Sequence, residues 1–118
     1  MLLTGDLEQA GEAELLGEPA LSSDVLLVGH HGSRTSSGMA FLQAVGAQAA
    51  IVSAGYRNRY RHPQRQVWER LREAGMQRWR TDWQGAIRVR LHDQVAVSGW
   101  RGQRPRYWDP GWRDEPLR

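Results

Sequence analysis

Cysteine is absent from the 118 residues, which excludes a disulfide framework and any thiolate metal site and leaves histidine and carboxylate to hold a metal. Lysine is absent too, and all 16 basic residues are arginine. Total replacement of this kind follows genome composition readily, although an arginine fork also suits bidentate phosphate contacts. No apolar run approaches the roughly 20 residues needed to cross a bilayer, and Met1-Leu2-Leu3-Thr4 meets Gly5-Asp6 too soon to form a signal-peptide core. The segment is therefore expected to be soluble. Internal repeats and low-complexity tracts are also missing.

A chain of 118 residues with 40% hydrophobic content falls in the range of one compact domain. Its formal charge of +3 conceals an asymmetry. Residues 1–30 carry six acids and no arginine, a charge of −6, whereas residues 31–118 carry sixteen arginines and seven acids, a charge of +9. The second part could face a polyanion.

Short β-rich runs alternate with helical patterns, as in layered α/β folds. Met1 to Thr4 reads as a strand end. Leu7 to Leu16 reads as a helix with Leu7, Ala10, Leu15 and Leu16 inward, stopped by Gly17-Glu18-Pro19. Val25 to Val28 is a short apolar strand of the kind buried on both faces. Thr35-Ser36-Ser37 offers hydroxyl caps for a helix over Gly38 to Val45, and Ala49 to Ala54 is a second buried strand. His62-Pro63 opens a helix carrying Val67, Trp68, Leu71 and Ala74 on its apolar side, which Gly75 ends. Met76 to Arg80, Gly85 to Leu91 and Gln94 to Ser98 read as three antiparallel strands, with His92-Asp93 in the last turn. Residues 1–98 form the expected domain. Residues 99–118, rich in Trp, Arg and Pro, are expected to dock through single aromatics or to be disordered.

Two strand ends carry the candidate chemistry. Asp6 follows the first, and Gly29-His30-His31-Gly32-Ser33 follows the second. One helical crossover separates them, the length that returns a chain to a neighbouring parallel strand, so the two ends should lie side by side. A carboxylate beside imidazoles suits Zn²⁺, Mn²⁺ or Fe, and a carboxylate can bridge two such ions. Asp6 reads equally as a cap for the helix starting near Leu7. The imidazole pair is more distinctive, because its flanking glycines allow close approach of a ligand and Ser33 adds a hydroxyl. His62 should reach the same rim, as ligand, proton donor or phosphate contact, or else pack on its own helix. The run Tyr56-Arg57-Asn58-Arg59-Tyr60-Arg61 alternates guanidinium and ring as a phosphate-gripping loop does. Thr81-Asp82 reads as a turn.

Four blocks in order, Leu2-Leu3-Thr4-Gly5-Asp6, Asp24 to Ser37, Asn58 to Pro63 and Arg80 to Ile87, resemble the metallo-β-lactamase-like domain of the ComEC family of DNA-internalisation competence proteins. The resemblance covers roughly residues 1–91. It implies an αββα sandwich with two divalent ions, Zn or Mn, in an inner-membrane protein whose soluble domain lies on an undetermined side. Asp6 matches the late aspartate that bridges the metals, and His30 or His31 the histidine after the next strand, with His30 preferred as the metal ligand. His31 and His62 then take catalytic roles, and Ser33, Arg57, Arg59 and Arg61 contact substrate or phosphate. The family's first metal-binding block, of the H-x-H/D-x-D-H type, occurs nowhere in the sequence. The chain is thus expected to be the second half of the sandwich, inactive by itself, weak in metal binding and prone to self-association or partial disorder. Its expected partners are DNA and the first half of the same domain. The alternatives are a non-catalytic nucleic-acid-binding or scaffold domain that keeps the sandwich without metals, and an independent small hydrolase.

Overall fold

The computed structural model describes residues 1–104; residues 105–118, most of the expected tail, lie outside the described residues. Strands β1 (Leu2–Leu3), β2 (Val25–Leu27), β3 (Ala49–Val52) and β4 (Gln77–Arg80) form a four-stranded sheet in sequence order. Every pairing in it is parallel, with Leu2 opposite Leu26, Leu26 opposite Ala50, and Ala50 opposite Arg78. Helices α1 (Gln9–Leu15), α2 (Met39–Val45) and α3 (Arg65–Glu73) make the crossovers. All strand ends therefore point the same way, which gathers the loops after β1, β2 and β3 on one edge.

Strands β1, β2 and β3 form where short apolar runs meet glycine or polar residues. All four positions of β3 are buried, as expected of a central strand covered on both faces. Leu26, Val28, Ala50 and Val52 meet Phe41, Leu42 and Val45 of α2 and Val67, Trp68 and Leu71 of α3 in one apolar cluster. Each buried side chain of this size contributes about 1.5–3 kcal/mol. Helix α3 ends as its sequence predicts: Gly75 takes φ +77°, its N–H donates to the Arg72 carbonyl, and the Met76 N–H donates back to Leu71.

Several details depart from the sequence expectation. Strand β4 is parallel to β3 rather than antiparallel, because α3 carries the chain across the sheet before it. Its arginines sit at the sheet's edge. Thr81-Asp82 belongs to a one-turn helix, α4 (Thr81–Gln84), whose Thr81 hydroxyl bonds both the N–H and the carbonyl of Ala54 at 2.9 Å. Strands β5 (Ile87–Leu91) and β6 (Val95–Gly99) form a separate antiparallel hairpin, Leu91 opposite Val95. A short helix, α5 (Trp100–Gln103), follows within the stretch expected to be a tail.

Capping also differs. Asp6 does not cap α1, whose N-cap position is Glu8. Of the residues expected inward on α1, Leu7 and Leu15 pack against the core, Ala10 and Leu16 are exposed, and Glu12 is the buried one. Its carboxylate crosses to α2 and accepts the N–H groups of Ser37 at 2.6 Å and Gly38 at 2.8 Å. Glu12 thereby caps α2 in place of the local hydroxyls.

Candidate functional site

The chain leaves β2 through Val28 into a tight turn over Gly29–Gly32. His30 (φ 49°, ψ 41°) and His31 (φ 52°, ψ 26°) are both left-handed there, and Gly32 continues at φ +78°. Left-handed backbone costs a residue with a Cβ about 1–2 kcal/mol, so two consecutive histidines held this way indicate that their surroundings impose the conformation. Those surroundings are explicit. The His30 N–H donates to the Gly5 carbonyl at 2.7 Å, and the Gly32 carbonyl accepts the Gln64 N–H at 2.9 Å. The Ser36 hydroxyl donates to the carbonyls of Gly29 and Ser33. Gly29 also lies so close to the chain leaving β1 that a Cβ there would stand 2.8 Å from the Leu7 carbonyl oxygen.

Three imidazoles converge as a result. His31 is exposed, and its Nδ1 lies 2.8 Å from the Ser53 carbonyl oxygen at the end of β3. A carbonyl only accepts, so Nδ1 carries the proton and Nε2 of the neutral ring keeps its lone pair. This is the orientation that backbone carbonyls impose on metal-ligating histidines. The His30 ring stands 6.3 Å from that of His62, nearly edge to face. Its Nδ1 approaches Glu8 Oε1 at 3.0 Å, an ion-pair contact outside hydrogen-bond alignment, and among the described residues this buried nitrogen has no hydrogen-bond partner. Asp6 is exposed on the same edge, directly after Gly5. Among the described residues no group of three or more His, Cys, Asp or Glu side chains is arranged to hold a metal. His30, its Nδ1 beside the Glu8 carboxylate, and the carbonyl-oriented ring of His31 fit part of such a site, without enough ligands among the described residues to complete it.

His62 reaches the rim from the loop after β3. Asn58 organises that loop: its amide donates to the carbonyls of Gly55 and His62, and its Oδ1 accepts the His62 N–H at 2.6 Å. The His62–Pro63 peptide is cis. Burial, then the charges of His30 and His31, hold the His62 imidazole below its ordinary 6.5. The unfolded chain therefore binds more protons than the folded one just below pH 6.5. The contribution of His62 to stability is present above that pH and is lost as pH falls through the lowered value. Proton NMR should place the His62 midpoint below 6.5, and His30→Ala should move it partway back; a wild-type midpoint at or above 6.5 contradicts the assignment.

The remaining predicted residues divide. Ser33 is engaged locally, its hydroxyl 3.1 Å from that of Thr35, which donates to Glu8 at 3.3 Å. Arg57 and Arg61 line a cleft with His62. Arg59 lies over the Tyr60 ring, 5.9 Å from its centroid, and does not line that cleft. Tyr60 in turn stacks on His62, with ring centroids 5.7 Å apart. Sequence reasoning missed Glu8 and Arg80. The acidic bias of residues 1–30 hinted at Glu8, and the Arg80-Thr81-Asp82 spacing hinted at a local ion pair.

Fold and rim together define an α/β domain that gathers three histidines at the carboxyl edge of a parallel sheet. No family model and no solved structure matches the chain, but curated proteins do. The chain is 42% identical over 119 residues to Competence protein ComA of Neisseria gonorrhoeae, covering 99% of this chain and 17% of that protein. It is 44% identical over 97 residues to ComE operon protein 3 of Bacillus subtilis, covering 81% of this chain and 12% of the relative. To Recombination protein 2 of Haemophilus influenzae it is 38% identical over 99 residues, 83% of this chain and 12% of the relative. By these similarities the chain is homologous to a segment of competence proteins, and it spans less than a fifth of the length of these relatives. No helix among the described residues is long and apolar enough to cross a membrane.

Proposed function

We propose that the chain is part of a metal-dependent phosphodiesterase or nuclease-type domain, of the metallo-β-lactamase-like αββα kind, within an inner-membrane DNA-uptake protein of natural competence. The observation that carries this reading is the left-handed turn that sets His30 and His31 beside His62. Homology to competence proteins supports the setting.

Asp6 with His30 or His31 would hold the metal, and the carbonyl-fixed Nδ1 of His31 makes its Nε2 at least as good a ligand as His30. A divalent ion, Zn or Mn and dinuclear when the site is complete, supplies an activated water and stabilises the leaving oxygen. His62, neutral at physiological pH, can accept a proton from an approaching group. Ser33 lends its hydroxyl to the Thr35–Glu8 chain behind His30. Arg57 and Arg61 offer guanidinium groups to phosphate, with Arg59 braced on Tyr60.

Ligands from outside this chain, expected from the first half of the domain, would complete the site, so the chain alone should cleave no DNA with Mn²⁺ or Zn²⁺ present. Self-association through the edge strand β1, where Leu3 is exposed, belongs to the same proposal. The test is Mn²⁺-dependent cleavage of a DNA oligonucleotide by a full-length protein containing this segment. His31→Ala should lower it by about 10²–10⁴-fold. Undiminished cleavage in that variant, or robust cleavage by the isolated chain, overturns the reading. A second reading, a non-catalytic nucleic-acid-binding or scaffold domain, rests on the Arg57–Arg61 loop with its exposed tyrosines, which needs no metal to meet a polyanion.

A further inference from the structure

Beside the imidazole rim opens a cleft of about 330 Å³ lined by Arg57, Arg61, Arg65 and Arg80 against a single carboxylate, Asp82. Arg57 and Arg61 are presented by left-handed backbone, φ 50° and 54°. Arg80 differs from the other three in being only 5% exposed. Asp82 takes its Nε at 2.6 Å and its Nη2 at 2.5 Å, and the guanidinium lies over Trp83, 3.9 Å from the ring centroid. Both the plane and one edge of the group are therefore fixed. Among the described residues its buried Nη1 has no hydrogen-bond partner.

A cleft lined by four arginines, one of them fixed in plane and along one edge by Trp83 and Asp82, calls for an oxyanion. That carboxylate neutralises Arg80, and among the described residues no ion pair engages Arg57, Arg61 or Arg65. Next to the cleft, Tyr56 and Tyr60 are 64% and 67% exposed, and Arg57 and Arg59 lie over their rings at 5.3 and 5.9 Å. Exposed rings interleaved with arginine offer stacking platforms that unpaired bases can use and that the bases of a duplex cannot.

We infer that this cleft is a phosphate subsite for single-stranded nucleic acid, anchored by Arg80, Arg57 and Arg61, with Tyr56 and Tyr60 receiving the adjoining bases. The inference deepens the phosphodiesterase reading and rests on it for the ligand's chemical class; the subsite itself needs no metal.

The test is fluorescence anisotropy of a labelled single-stranded 12-mer with the whole 118-residue chain in EDTA. Arg57→Gln with Arg61→Gln should weaken binding about tenfold and lower the slope of log affinity against log salt by about 1.4, roughly 0.7 for each phosphate no longer neutralised. Tyr56→Ala with Tyr60→Ala should weaken it at least fivefold, less for an abasic strand, because stacking is what those rings supply. Arg80→Lys, which keeps the charge but not the fork, should also weaken binding; the two surface double variants carry the test if it fails to fold. Inorganic phosphate should compete at millimolar concentration. Affinity unmoved by the arginine pair, a duplex bound as tightly as the single strand, or binding of free phosphate alone overturns the inference. Strand binding in EDTA without metal-dependent cleavage by the full-length protein sinks only the enzymatic reading, and cleavage with an unaltered arginine variant sinks only the subsite.

Discussion

Gly32→Ala is expected to destabilise the domain by about 2–4 kcal/mol and to displace the imidazoles it carries. At φ +78° alanine is strained, and its Cβ would stand 2.6 Å from Cβ and 2.9 Å from Cα of Pro63. Pro63 is buried and its ring has no alternative rotamer, so relief requires moving the loop that holds His62. The effect therefore reaches both sides of the rim. Gly75 provides the control. It has φ +77° but, among the described residues, nothing within 4 Å of its added Cβ, so Gly75→Ala isolates the backbone cost of about 1 kcal/mol. Thermal melting followed by circular dichroism should place Gly32→Ala well below Gly75→Ala, by roughly 4 °C or more for each extra kcal/mol. Equal midpoints would refute the clash.

Glu12→Ala should cost a comparable amount, about 2–4 kcal/mol, by leaving the Ser37 and Gly38 N–H groups without an acceptor. Glu12 is 3% exposed, and Ser37 beside it is 1% exposed, so water cannot readily substitute. Glu12→Gln should fall between wild type and alanine, because one oxygen still accepts while the amide NH₂ faces a second donor. Urea denaturation measures all three. An alanine variant within about half a kcal/mol of wild type would show that the two N–H groups find other partners. The segment so capped follows the histidine turn directly, so loosening it should also blur the position of Ser33 and Ser36.

Strands β1, β2 and β3 were legible because they are short apolar runs ended by glycine or polar residues, and one crossover between Asp6 and His30 sufficed to make their strands neighbours. The convergence of His30, His31 and His62 followed from that register. The left-handed turn was not legible, since positive φ at two consecutive non-glycine residues is uncommon and the non-local hydrogen bonds around it, accepted by the Gly5 carbonyl and donated by the Ser36 hydroxyl and the Gln64 N–H, hold it. Glu12 was missed because a charge on a helix reads as solvent-facing until a buried donor pair claims it. Arg80 was missed for a similar reason. Alternating Arg78 and Arg80 resembles one exposed face of a hairpin strand, and the direction of β4 depends on how α3 packs rather than on its own residues. Thr81-Asp82 looked like a turn because the bond from Thr81 to Ala54 is non-local.

The two left-handed histidines have a consequence for the chain's evolution. Glycine or asparagine at either position would relieve backbone strain, so a lineage selected for heat resistance alone has a ready gain in the very turn that carries the imidazoles. Drift toward those residues would mark descendants released from the chemistry, and continued histidine there would mark a lineage still bearing the strain because it uses the rings.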